Sequence, residues 1–323
     1  LQKDKSARGW WGGRAHKNRV LFEKRTKNFH SFGARMNGVR ARAKLLPSQR
    51  LHLQDGPIDL IIMAEGDAPA IDAAYRAAER RFASILDELC AELPLLRSSG
   101  GQWPHGPIAR RMRAAVEPLA RFGFITPMAA VAGAVAEAVL AAMREAATLR
   151  RAAVNNGGDI ALHLAPGETI RIGMVSRPQL GGIDLFGSLS IRHADSVRGL
   201  ATSGRHGRSF SLGVADAVTV LARTAADADA AATVIANAVD LPGHPGILRA
   251  PAVELQPDSD LGGTLVTRDV AALTAAEIDA ALTQGLIRAE DLCAEGLIIG
   301  AALHLQGETR LFSPILRMEP AHA

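Results

Sequence analysis

Ala153-Val154-Asn155-Asn156-Gly157-Gly158-Asp159 runs directly into Ile160-Ala161-Leu162-His163-Leu164, then Pro166-Gly167-Glu168-Thr169, then Ile170-Arg171-Ile172-Gly173-Met174-Val175. Apolar runs on either side of a Pro-Gly turn predict two strands joined as a hairpin. The same words close the chain: Ala301-Ala302-Leu303-His304-Leu305, the turn Gln306-Gly307-Glu308-Thr309, then a strand from Arg310 to Leu316. Leu51-His52-Leu53 and Ile58 to Met63, around Gln54-Asp55-Gly56-Pro57, read as another hairpin. Duplication of a strand–turn–strand unit and convergence on a good hairpin both account for the likeness. Hairpins interleaved with helices predict an α+β fold of mixed sheets flanked by helices, not a doubly wound parallel sheet.

Between the hairpins the helices declare themselves by spacing and caps. Ile71, Tyr75, Ala78, Phe82, Ile85 and Leu89 recur every three or four residues behind Asp67 and Pro69, the pattern of a core-facing helix. A short helix carries Arg110, Arg111 and Arg113. Thr126-Pro127 opens an alanine-rich helix that should stop near Arg151. The alanines make this helix thin, so another backbone or a ligand can come close. Glu137, its lone charge, reads as a solvated stripe position. A strand region spans Leu189 to Thr202. Val214 to Arg223 reads as a helix, Thr224 caps another reaching about Val239, and Thr274-Ala-Ala-Glu277 is a capping box for a helix ending at Gly285.

The chain has 323 residues, 48% of them hydrophobic and 22% charged, enough apolar material for a sizeable core and too much for wholesale disorder. Only 4% are aromatic, which argues against aromatic-platform binding of nucleic acid. Cys90 and Cys293 lie in unrelated segments without CxxC or Cys/His spacing, so neither a disulfide scaffold nor a zinc module is expected. Phe122 to Met143 holds one charge, but its alanines and Pro127 favour a buried helix over a membrane span. With no secretory h-region, the cytoplasm is the expected location.

The charge divides sharply. Residues 1–35 hold ten Lys/Arg and two Asp/Glu, whereas the remaining 288 are mildly acidic and hold a single lysine, Lys44. One reading makes 1–35 a basic arm for nucleic acid or anionic lipid. The other makes it a non-native, disordered extension of a domain spanning 36–323, beginning at Met36. The abrupt change in amino-acid usage favours the second.

Two loops can hold a ligand. In Asn155-Asn156-Gly157-Gly158-Asp159 the adjacent glycines let backbone approach a ligand, and Asp159 offers an acceptor. A helix C-cap with a tight turn explains the same residues equally well. In 203–213, three glycines, three serines, Arg205, Arg208 and His206 stand before the expected 214–223 helix, a setting that attracts phosphate or carboxylate. His52, His163 and His304 each sit between leucines and are expected on a solvated face rather than as a metal triad. No Ser-His-Asp elbow, HExxH or paired catalytic carboxylates stand out, so no catalytic residue is assigned.

Thr126-Pro-Met-Ala-Ala-Val-Ala-Gly-Ala-Val-Ala-Glu137, Asn155-Asn-Gly-Gly-Asp159, Thr202-Ser-Gly204 and Ser209-Phe-Ser-Leu-Gly-Val-Ala-Asp-Ala-Val-Thr219 together resemble the uncharacterised protein family numbered 0280. That family is related in fold to the ApbE-like flavin transferases, which move FMN from FAD to a protein threonine with magnesium. The resemblance implies an ApbE-like domain with a remodelled pocket for an anionic small molecule or nucleotide, a flavin included. The pocket would comprise Thr126, Asn155, Asn156, Gly157, Gly158, Asp159, Ser203, Gly204, Arg205, Arg208 and Ser209. Asp216-Ala217 resembles the metal-binding Asp-Ala-x-x-Thr of those enzymes, with Val220 at the threonine's place. On a helix Thr219 would share a face with Asp216, about 60° away; the pair would then bind magnesium, or Asp216 would only complement the helix N-terminus. The alternative is a non-catalytic assembly or regulatory protein on the same scaffold.

Overall fold

The computed structural model describes residues 40–47, 49–175 and 185–313. The basic extension 1–35 and residues 314–316, the end of the expected closing strand, lie outside them. The class is α+β, as expected, and every strand pairing among the described residues is antiparallel rather than mixed.

Nine strands form the main sheet. They are β1 (Arg42–Leu45), β2 (Leu51–Asp55), β3 (Ile58–Glu65), β4 (Arg151–Asn156), β5 (Asp159–Leu164), β8 (Gly199–Ser203), β9 (Ala217–Ala222), β12 (Gly300–Leu305) and β13 (Glu308–Phe312), side by side in that order. Two smaller pairs stand apart: β6 (Thr169–Val175) with β7 (Leu185–Arg192), and β10 (Ile247–Pro251) with β11 (Leu265–Val270). The first and last expected hairpins, β2–β3 and β12–β13, are present. The middle one is not: β5 pairs with β4 and β8, while β6 leaves the sheet for β7.

The helices are α1 (Ala68–Ala91), α2 (Leu93–Leu96), α3 (Pro107–Val116), α4 (Val131–Ala146), α5 (Ala225–Ala238), α6 (Ala252–Leu255) and α7 (Ala275–Ala294). The main core lies between one sheet face and α1, α4, α5 and α7, with Leu60, Ile62, Phe82, Ile85, Val135 and Ile235 almost wholly buried. A second cluster, Leu162, Leu164, Leu189, Ile191, Val197, Leu200 and Leu221, fills the space near β6–β7. The stretch Pro127–Ala146 is long and apolar enough to cross a membrane, and two thirds of it is buried within the fold.

Four local expectations need correction. Val214 to Arg223 is not a helix: residues 217–222 form β9, whose six side chains are all buried. A strand covered on both faces loses the polar alternation that marks strands in sequence. The alanine-rich helix starts later and ends earlier than expected, because a 3-10 turn (Pro127–Ala130) precedes α4 and Arg151 already belongs to β4. The capping box at Thr274 and Glu277 is present, but α7 runs past Gly285, against which Val239 and Leu303 pack. Glu137 is not a solvated stripe residue, since it accepts the Ala226 N–H at the start of α5 (2.7 Å) and pairs with Arg111 (2.9 Å).

Helix α5 sits unusually close to its neighbours. A Cβ on Gly133 of α4 or on Gly199 of β8 would collide with backbone at Thr224–Ala225, and one on Gly213 would collide with the Ala236 carbonyl. The thin helix α4 is therefore approached by backbone, as its composition allows.

Candidate functional site

The motif 155–159 is a hairpin turn, not a helix C-cap. Asn156 and Asp159 face each other across β4 and β5, and Gly157 (φ +69°) and Gly158 (φ +116°) make the two-residue turn. Asn155 accepts the Gly158 N–H at 2.8 Å. Asp159 accepts the backbone N–H of Thr202 at 3.2 Å, tying the turn to β8. Asn156 is buried and donates to the Ala132 carbonyl at 3.2 Å.

The 203–213 loop leads into β9 rather than a helix, so it does not end at a helix N-terminus of its own. It is anchored at Asp216. Arg205 Nε and His206 Nε2 meet Asp216 Oδ1 at 2.8 and 3.0 Å, and the Gln306 N–H donates to Oδ2 at 2.6 Å. Burial disfavours the charged form of Asp216, but the His206 and Gln306 hydrogen bonds and the Arg205 guanidinium outweigh it and lower its pKa to about 2. At the loop's outer end Arg208 lies over Gly157 and donates to the Pro57 carbonyl at 3.2 Å. A side chain at Gly157 would collide with that guanidinium.

These segments border one cavity of about 770 Å³, which they share with the start of α4, one face of α5 and residues 256–261. Eleven of the thirteen residues nominated from the sequence line it: Thr126, Asn155, Gly157, Gly158, Asp159, Ser203, Gly204, Arg208, Ser209, Asp216 and Thr219. Asn156 and Arg205 do not, because both turn inward to structural partners.

The nominated metal pair is otherwise engaged. The helical geometry that put Asp216 and Thr219 on one face is gone, and Thr219 shares a 2.9 Å hydrogen bond with Thr202. No group of three His, Cys, Asp or Glu among the described residues is arranged to hold a metal ion. The three leucine-flanked histidines are each satisfied locally, by Asp59, the Leu149 carbonyl and Thr309.

Sequence reasoning missed part of the wall. Asp229, Thr233 and Asn237 form a stripe on α5, at i, i+4 and i+8, that faces the cavity. Asp229 also accepts the N–H groups of Ala132 and Gly133 at the start of α4, each at 3.0 Å. Across the opening, Thr126 donates to Asp260 instead of capping a helix, and Arg97 reaches Asp258 at 3.2 Å. The i+4 spacing on α5 was a usable signal. Arg97 and Asp258, 161 residues apart, had none.

The chain is similar to the UPF0280 protein of Methanopyrus kandleri, 41% identical over 131 residues, which are 40% of this chain and 48% of that protein. The UPF0280 protein of Methanospirillum hungatei is 38% identical over 121 residues, 36% of this chain and 46% of that protein. The chain spans about half the length of the curated relatives it matches. Among solved structures it is similar to the apo form of Pseudomonas stutzeri flavinyl transferase ApbE, with a TM-score of 0.41 and 12% identity over 85% of this chain and 94% of that one. The family described as AbpE bacteria matches residues 42–311, and the chain belongs to that family.

Proposed function

We propose that this chain binds an anionic small molecule or nucleotide, flavin nucleotides included, in a remodelled ApbE-type pocket. The observation that carries the reading is the convergence on one cavity of eleven residues nominated from four separate stretches of sequence. Its volume, about 770 Å³, falls within the roughly 300–1,000 Å³ of small-molecule pockets. Apolar walls from Phe124, Ile125, Met128, Ile160, Phe210 and Leu212 suit a planar ring, and Asn155, Ser203, Ser209, Thr233 and Asn237 supply polar orientation.

The nominated pair, Asp216 and Thr219, does not fit a resident magnesium ion. The Asp216 carboxylate is already engaged by Arg205, His206 and the Gln306 amide, and Thr219 is bonded to Thr202. A second reading is a non-catalytic assembly or regulatory protein on the same scaffold.

Fluorescence titration of riboflavin, FMN and FAD, each with and without magnesium, tests both. Saturable quenching that Asn155→Ala or Asn237→Ala weakens is expected. Failure of all three flavins under both conditions would discard the flavin reading and leave the scaffold.

A further inference from the structure

We propose that Arg97 is an oxyanion receptor in the cavity wall, occupied by Asp258 until the phosphate or carboxylate of a ligand replaces it. The inference rests on the cavity being the ligand site. Charge is the first argument. Among the described residues, Asp59, Asp159, Asp216, Asp229, Asp258 and Asp260 line the cavity against two arginines, Arg97 and Arg208. Even with Asp216 paired to Arg205, carboxylates outnumber guanidiniums among the described lining residues, so an anion is best received beside a guanidinium.

The two guanidiniums are not equivalent. Arg208 is exposed and binds a neutral carbonyl, so water screens it. The Arg97 side chain is 18% exposed, and its charge acts across a less polarisable wall. Arg97 closes the short helix α2, its backbone N–H bonded to the Leu93 carbonyl at 3.0 Å, which fixes where its side chain starts.

Geometry is the second argument. Arginine offers five donors in a planar fork. Among the described residues, the side chain of Arg97 makes one hydrogen bond, from Nη2 to Asp258 Oδ2 at 3.2 Å. A one-point contact leaves the rest of the fork for a bidentate oxyanion, which is the stronger arrangement. Asp258 lies in the segment linking α6 to β11, and its neighbour Asp260 holds that segment to Thr126. An oxyanion arriving on Arg97 meets the Asp258 carboxylate and repels it. Ligand binding and release of residues 256–261 are thereby coupled, because the ligand binds only one of the two arrangements.

Calorimetry with inorganic pyrophosphate, at ionic strength matched with sodium chloride, tests this apart from any flavin. Arg97→Gln should weaken binding at least about tenfold, and Asp258→Asn should tighten it by about three- to tenfold, as for one charge pair and its competitor. Arg97→Lys, which keeps the charge and loses the fork, should fall between wild type and Arg97→Gln, and it serves if Arg97→Gln does not fold. Hydrogen exchange over 256–261 should quicken with pyrophosphate in the wild type alone. Equal affinity in wild type and variants, no binding to any of them, or unchanged exchange would overturn the proposal. Pyrophosphate binding that follows Arg97 while riboflavin, FMN and FAD all fail to bind would sink the flavin reading and leave the receptor standing.

Discussion

Glu137 of α4 accepts the backbone N–H of Ala226 in the first turn of α5, and the favour is returned: Asp229 of α5 accepts two N–H groups in the first turn of α4. Each helix supplies the carboxylate that completes the other's start, where orphan donors and the positive end of the helix dipole attract negative charge. Glu137→Ala or Asp229→Ala should each cost about 1–2 kcal/mol, as for loss of a helix cap. Because the two caps are neighbours, the double variant should depart from additivity. Urea denaturation of the three variants measures this, and strictly additive losses would show the caps to be independent.

Acid should destabilise the fold through Asp216. Its pKa is lowered to about 2 in the folded protein, against about 3.9 for a free aspartate. A lowered folded-state pKa means stability that is fully present above pH 4 and lost as pH falls toward 2. The amount is about 2 kcal/mol. Asp216→Asn removes that dependence, so wild type and variant should differ most near neutral pH and converge near pH 2. Denaturation midpoints at pH 7, 4 and 2.5 give the test, and a gap that stays constant with pH would remove Asp216 as its source.

The crossing of α4 and α5 at Gly133 has no room for a methyl group. Gly133→Ala drives a Cβ into the Ala225 carbonyl, and overpacking of this kind costs about 1–3 kcal/mol. The usual gain from replacing a helix glycine by alanine should be reversed in sign. Differential scanning calorimetry would show a lowered Tm, and a raised Tm would mean that the helices separate freely.

At the cavity rim Gly157 is needed twice, for its left-handed backbone and for the guanidinium lying over it. Gly157→Ala should cost about 1–2 kcal/mol from the backbone alone. Arg208→Ala, at an exposed position, should change stability by less than about 0.5 kcal/mol. If chemical denaturation ranks the two the other way, Arg208 is holding the turn rather than resting on it.

Much of this architecture was legible because it is written locally. The β2–β3 hairpin, α1, the Thr224 cap of α5 and the Thr274–Glu277 capping box each depend on residues within a few positions of one another. The errors came where a neighbour distant in sequence decides. Val218-Thr219-Val220 lies in a run of buried residues on both faces of β9, and a short apolar run has no period to distinguish strand from helix. Its β-branched residues were the remaining hint. The turn after β5 looked like a hairpin, yet β8 claims β5 and β7 claims β6. For the site, the glycine turn and the 203–209 loop were readable as motifs. Asp258 and Asp260 were not, since their partners Arg97 and Thr126 lie more than a hundred residues upstream.

Helix α5 is gripped at both ends by backbone, through Gly133 and Gly199 at its start and Gly213 at its finish. Between those grips it shows Asp229, Thr233 and Asn237 to the cavity. Eight residues of helix measure about 12 Å. The stripe is therefore a ruler with fixed ends, one carboxylate, one hydroxyl and one amide at set graduations. Side-chain repacking elsewhere can reshape the apolar wall opposite, but it cannot slide the scale, so a ligand's polar groups must match its spacing.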